Sequence, residues 1–274
     1  MDWAKVKVIL IGMFLILNIF LFTNIINFNP SEIKPSDMEK DTVNILSKRG
    51  IALSCKIPDY LIDGGIKLNC EVSSVNIKDV CIKLTGNSSI SEDDIKNGIY
   101  EKDGKKVALS ENNAVILEFG DKGQKLYDEK TTKLYITKLL SGLNMPIQNY
   151  ICDSFKSSDG TMEARFVERY DDFLVYDNYI DIRYDGTHTR IEYRYNKISG
   201  LIRENTDKKT VPAYLVLLKN YFEGSVSKVI KIDVGFKISN ESRNVHKTPV
   251  WRIESGDGSP KYFDIYTGIP VQYN

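Results

Sequence analysis

The spacing of apolar and polar positions changes character along this chain. From Val8 to Phe28, VILIGMFLILNIFLFTNIINF carries no ionisable side chain. Those roughly 21 residues would span about 30 Å as a helix, enough to cross the hydrocarbon core of a bilayer. Beyond a polar stretch, NPSEIKP, the rhythm becomes helical in SDMEKDTVNILSKRG. Ser36 at the cap and Glu39 three residues on form a capping box, Val43 and Leu46 share a face with Met38 and Ile45 nearby, and Gly50 stops the helix. IALSCKI, GIKLNCEVSS, DVCIKLTG and AVILEFG then read as short strands between turn residues.

The same order returns twice. In TTKLYITKLLSGLNMP, Ile136, Leu139, Leu140 and Leu143 form a stripe at i, i+3, i+4 and i+7 that Pro146 closes. Strands follow in QNYICDSF, TMEARFVERY, FLVYDNYIDIRY and TRIEYRY. A third helix, VPAYLVLLKNYFEG, has Pro212 in its first turn and stops near Gly224, and it leads into KVIKIDVGFKIS, PVWRIES and KYFDIYT. Asp-Gly pairs in RYDGTHT and ESGDGSPKY mark hairpins. One unit, an amphipathic helix feeding an antiparallel sheet, is thus expected about three times, which predicts an α+β fold with helices over one face of each sheet.

The apolar run ends in bulky Ile25, Ile26 and Phe28 rather than a small-residue cleavage site, so it reads as an uncleaved anchor. Lys5 and Lys7 precede it and the first basic residue after it is Lys34, which puts the N-terminus in the cytoplasm with Trp3 at the inner interface. The expected organisation is a cytoplasmic tail at 1–7, a transmembrane anchor at 8–28, a linker at 29–35, and extracytoplasmic α+β domains at 36–128 and 129–274.

Lysine plus arginine equals aspartate plus glutamate at 37 each, a balance that argues against nucleic acid as a partner. No G-x-S-x-G, H-E-x-x-H, P-loop or G-x-G-x-x-G occurs, so neither an enzyme nor a cofactor is expected. His188 lies in a hairpin turn and His246 in the loop RNVHKTP, neither with a nucleophile beside it in sequence. Asp171, Asp172, Asp177, Asp181 and Asp185 lack the spacing of a calcium loop, and Asp177 and Asp181 share strand parity with Tyr179, so a solvated strand face is expected. Cys55 and Cys70 fall on apolar strand faces, which favours buried thiols over a bridge between them; with no C-x-x-C pair among Cys55, Cys70, Cys81 and Cys152, no metal site is expected. Tyrosine crowds one region. Tyr176, Tyr179, Tyr193 and Tyr195 offer a face for a glycan or peptide, although strand propensity and cross-strand pairing explain them as well.

Asn18, at the centre of the apolar run, favours contact with another membrane helix, because lipid offers an amide no hydrogen-bond partner. Gly12 allows close approach elsewhere on the helix. The opening MDWAKVKVILIGMFLILNIFLF, with Asp2-Trp3, spaced lysines and the core FLILNIFL, resembles the N-terminus of the YycI (WalI) family, regulators of the WalK sensor kinase of Gram-positive bacteria. LSKRGIALSCKIP and the late TPVWRI and YFDIYTG extend the likeness in order and length. The resemblance implies an α+β region of YycH/YycI type, with a PepSY-like unit as an alternative description. It also implies a non-enzymatic membrane regulator of the kinase's autophosphorylation, with a sibling YycH-type protein as second partner. Carried onto this chain, it points to Gly12, Leu15, Leu17, Asn18, Ile19 and Leu21 as the partner-contacting element. The alternative expectation is a sensor that binds a cell-wall glycan or peptide on the tyrosine-rich sheet.

Overall fold

The computed structural model describes residues 3–27, 35–72, 75–95, 98–110, 113–120, 126, 128–221, 226–237, 244–257 and 259–271. Phe28, nearly all of the expected linker, Gly224 and the chain's last three residues lie outside them. Helix α1 (Trp3–Asn27) covers the apolar run. Helix α2 (Pro35–Lys48) begins one residue before the expected Ser36 cap. Glu39 Oε1 accepts from the Ile57 amide at 3.5 Å.

The first departure from the sequence reading comes next. Of IALSCKI only β1 (Ala52–Leu53) is strand, while β2 (Asp63–Val72) forms as expected. DVCIKLTG, expected as a strand, belongs to helix α3 (Ile77–Thr85). Neighbouring Val80 and Cys81 are both buried, which a helix turned towards a core permits and an alternating strand does not. Asn76 caps its start by accepting from the Asp79 amide, and Gly86 closes it in the left-handed region.

A hairpin of β3 (Ile99–Lys102) and β4 (Lys105–Leu109), not anticipated, precedes β5 (Val115–Gly120) and α4 (Glu129–Gly142), whose Ile136 and Leu140 face the core. Then follow β6 (Tyr150–Ser158), β7 (Thr161–Tyr170), β8 (Phe173–Tyr184) and β9 (His188–Arg194). The long β10 (Asn196–Lys209) was also unforeseen. Pro212 stands at the N-cap of α5 (Ala213–Asn220) rather than inside its first turn. Last come β11 (Lys228–Phe236), β12 (Asn244–Lys247), β13 (Pro249–Ser255) and β14 (Pro260–Asp264). His246 therefore lies in a strand, not a loop.

The result is an α+β fold, but the strands do not form three separate sheets. Eleven belong to one mixed sheet ordered β14-β13-β11-β8-β9-β5-β4-β3, with β6 and β7 joined to β8 and β1 to β11. Strand β8 is its hinge. Leu174 and Val175 run parallel to Gly235 and Phe236 of β11, whereas Tyr179 to Tyr184 run antiparallel to β9. A smaller sheet, β10-β2-β12, lies apart.

Two large cores follow from this branching, with a small third cluster of Val167, Tyr176, Tyr179 and Val250. One joins α3 and α4 to strands β3–β9 around Leu117, Phe166 and Tyr193; the other joins α2 and α5 to β2, β11, β13 and β14 around Leu46, Phe236 and Trp251. The sheet runs across the expected boundary at 128/129, because β5 pairs with β9. At the end of α2, Arg49 reaches α5 and donates from Nη1 to the Leu218 and Tyr221 carbonyls at 2.9 and 2.8 Å. A cation there satisfies the last carbonyls of the helix and opposes its dipole.

Candidate functional site

Helix α1 is the first candidate. The window Val6–Thr23 has a mean hydropathy of 2.4 and none of it is buried against the rest of the chain. It is long and apolar enough to span a membrane. Asn18 donates from Nδ2 to the Phe14 carbonyl at 2.9 Å, so one donor is satisfied within its own helix, as short polar side chains do by bonding back one turn. At 100° per residue the six residues singled out by the resemblance do not share one face. Leu17, Asn18 and Leu21 lie on one stripe, and Gly12, Leu15 and Ile19 on another. A Cβ at Gly12 would meet nothing within 4 Å.

The tyrosines are the second candidate, and the structure corrects it. Tyr176, Tyr179 and Tyr193 are buried; Tyr195 alone of the four is partly exposed. Tyr193 belongs to the first core and donates to the Pro146 carbonyl at 2.6 Å, with Tyr195 stacked on it at 6.3 Å. Tyr179 donates to Glu192 Oε1 at 2.6 Å under the Arg165 guanidinium, 4.3 Å from its ring centroid. These rings pack and hydrogen-bond within the sheet, so they do not form an open ligand face.

Tyr176 leads to a dense polar arrangement. Its hydroxyl donates to Asp233 Oδ1 at 2.7 Å, and the Arg252 guanidinium lies 4.5 Å from its ring centroid. Arg252 forks onto two carboxylates: Nη1 and Nη2 reach Asp153 at 2.7 Å each, and Nε and Nη2 reach Asp233 at 2.9 and 2.5 Å. Lys231 adds a bond to Asp153 Oδ1 at 2.5 Å. Asp153 gets there through a β-bulge. The β6–β7 register slips between Cys152 and Ser154, leaving Asp153 as the extra residue, and a bulge re-aims the side chain it inserts. Burial pushes the Asp153 carboxyl up, but the bonds and charge of Arg252, with Lys231, overcome it and hold it at about 2. The cluster clasps edge strand β6 to β11 and β13.

Asp177 departs from expectation too. Instead of facing water with Asp181 it is buried, with Oδ1 bonded to Lys237 Nζ at 2.6 Å and Arg194 Nη1 at 3.2 Å. The register slip opposite, between Val167 and Glu168, breaks the alternation along β7 and β8. Asp181 stays on the outer face, paired to Arg165 at 2.9 Å. Burial, and the nearby Glu192 carboxylate against Arg165, raise its carboxyl to about 6. A raised carboxyl means that its ionised form is disfavoured in the fold, so stability should decline as pH rises from about 3.8 to about 6. In Asp181→Asn that decline should flatten, and the variant should be the more stable protein above pH 6; identical pH profiles of the unfolding midpoint would refute this.

The outer face carries one further pattern. Glu101, Lys106, Glu118, Arg190, Arg183, Glu163 and Lys156 stand directly opposite one another in turn, one on each of β3, β4, β5, β9, β8, β7 and β6. Six of the seven line an open groove of about 700 Å³, whose end is formed by Gly104, Thr161 and the Asp185 to His188 turn.

Chemistry beyond these contacts is sparse. His188 is exposed, with Nδ1 at 2.8 Å from Thr187 Oγ1, and Asp185 Oδ1 accepts from the Thr187 and His188 amides. That is a self-bonded turn. All four cysteines are thiols; burial raises those of Cys55, Cys81 and Cys152 to about 11, far from a reactive thiolate. Among the described residues no group of three or more His, Cys, Asp or Glu could hold a metal ion.

No protein-family model matches the chain, and no curated protein is significantly similar to it. Among solved structures it is similar to the C-terminal domain of Bacillus megaterium YpeB at 12% identity, over 74% of this chain and 96% of that one, with a TM-score of 0.36. At that level no residue role passes from one to the other, and what the chain itself displays is an α+β body behind one apolar N-terminal helix.

Proposed function

We propose that this chain is a single-pass, non-enzymatic regulator of a WalK-type sensor histidine kinase, with residues 1–7 cytoplasmic, the body extracytoplasmic, and a YycH-type sibling as second partner. The observation that carries the reading is α1, an apolar helix of 25 residues whose spanning window is 0% buried by its own chain. Its N-terminal sequence supplies the resemblance to the YycI family. Two stripes, one small-to-aliphatic at Gly12, Leu15 and Ile19 and one amide-bearing at Leu17, Asn18 and Leu21, suit two neighbouring helices rather than one. Regulation then works by population shift: the helix and body bind one kinase state better than another, and a difference of about 1–3 kcal/mol changes their ratio about 5- to 150-fold.

The test is capture of the kinase from membranes. An interhelical hydrogen bond contributes about 0.6 to 2 kcal/mol, so Asn18→Leu should weaken co-purification roughly 3- to 30-fold while leaving membrane insertion intact. Unchanged capture and signalling in that variant would remove Asn18 from the interface. Replacement of all of α1 by an unrelated apolar helix, at equal abundance and without effect, would end the proposal.

A further inference from the structure

The row of charges on the outer sheet face alternates in sign except at one place. Arg190 and Arg183 are directly opposite each other in β9 and β8, and like charges so placed repel. Each is drawn outward to a carboxylate on its far side. Arg190 Nη1 is bonded to Glu118, and Arg183 Nε lies 3.6 Å from Glu163. The central sequence is therefore acid, base, base, acid across β5, β9, β8 and β7. Arg183 and Glu163 are largely exposed, at 71% and 62% of the side chain. Phe119, Met162 and Tyr184, one residue along from this row, point to the opposite face and into the first core, so the groove is lined by the charged side chains themselves.

We propose that this groove docks an extended peptide segment of a partner protein carrying an acidic residue flanked at i−2 and i+2 by basic residues. A polyanion would meet Glu118 and Glu163 on either side of the arginines and be repelled. A polycation would meet the arginines. The complement of the row is base, acid, base, and its spacing matches an extended chain. With strands about 4.8 Å apart, the midpoint between the arginines lies about 7 Å from each flanking glutamate position, and two residues of extended peptide advance about 6.7 Å. The peptide thus runs across the strands with its carboxylate between the two guanidiniums, where charge-assisted bonds are strongest, and its cations over the glutamates. The docking is independent of what α1 contacts.

The experiment titrates the full chain, in detergent micelles, with the acetylated and amidated peptide Lys-Ser-Glu-Ser-Lys and with its charge-reversed counterpart Glu-Ser-Lys-Ser-Glu, followed by calorimetry. The first should bind saturably, at least tenfold more tightly than the second, and added salt should weaken it. Arg183→Gln, at an exposed position where circular dichroism should show the fold unchanged, should reduce that binding at least tenfold. Equal binding of the two peptides, no binding of either, tighter binding of polyglutamate, or full binding by Arg183→Gln would each overturn the proposal.

Discussion

Arg252→Ala is expected to lose about 3–5 kcal/mol of stability, because it strips the cation from two carboxylates that stay behind in a site largely closed to water. Arg252 is 4% exposed, so solvent does little to screen what remains. The Asp153 carboxyl, held at about 2 by Arg252 and Lys231 against its own burial, fixes the sign of the pH dependence. Its folded value is depressed, so its contribution is present above the ordinary 3.8 and disappears as pH falls through about 2. Between pH 4 and 2 the wild-type protein should lose stability more steeply than Asp153→Asn. Trp251, fully buried beside Arg252, gives a fluorescence signal for denaturant unfolding of the second core. A midpoint for Arg252→Ala within about 0.5 kcal/mol of wild type, the scale of ordinary surface changes, would show that the clasp holds nothing.

Gly235→Ala should be comparably damaging through a different cause. A Cβ at this position would collide with the Leu174 carbonyl oxygen and approach two ring carbons of Tyr176 at 2.8 and 2.9 Å. Backbone oxygen cannot rotate aside as a side chain can. The substitution must separate β8 from β11 where Gly235 pairs with Leu174, the junction of the two wings of the sheet. We expect a loss of about 3 kcal/mol, the upper end of overpacking costs. Displaced Tyr176 would also let go of Asp233, so Gly235→Ala and Arg252→Ala together should cost less than their sum, as changes within one network do. Additive losses in the double variant would show that the glycine and the clasp are separate.

Much of the architecture was readable from spacing alone. The stripe Ile136, Leu139, Leu140, Leu143 became α4, and the Asp185-Gly186 turn became the β8–β9 hairpin. Helix α3 was misread because Val80, Cys81 and Ile82 form a short β-prone apolar run that periodicity cannot assign, although Asn76 and Gly86 were caps in plain sight. Of the two readings of the tyrosines, cross-strand packing is the one the structure shows, with Tyr176, Tyr179 and Tyr193 buried. The register slips at Cys152/Ser154 and Val167/Glu168, by contrast, are announced by no local pattern. For the same reason neither the reach of Asp153 to Arg252, 99 residues on, nor the row through Arg183 and Arg190 could be foreseen. Both are products of long-range pairing.

The contacts that complete the second core also set the order in which the chain can finish folding. Arg49 waits for Tyr221, 172 residues later, and the Ile66 amide waits for the Tyr266 hydroxyl, 200 residues later. During synthesis, α2 and β2 therefore emerge early, while the residues of α5, β11, β13 and β14 that complete their core come last. Such late closure slows folding and prolongs the period in which unpaired strands can aggregate. A nascent chain halted before residue 211 should accordingly be a substrate for holding chaperones and proteases, whereas one released after residue 266 should escape them.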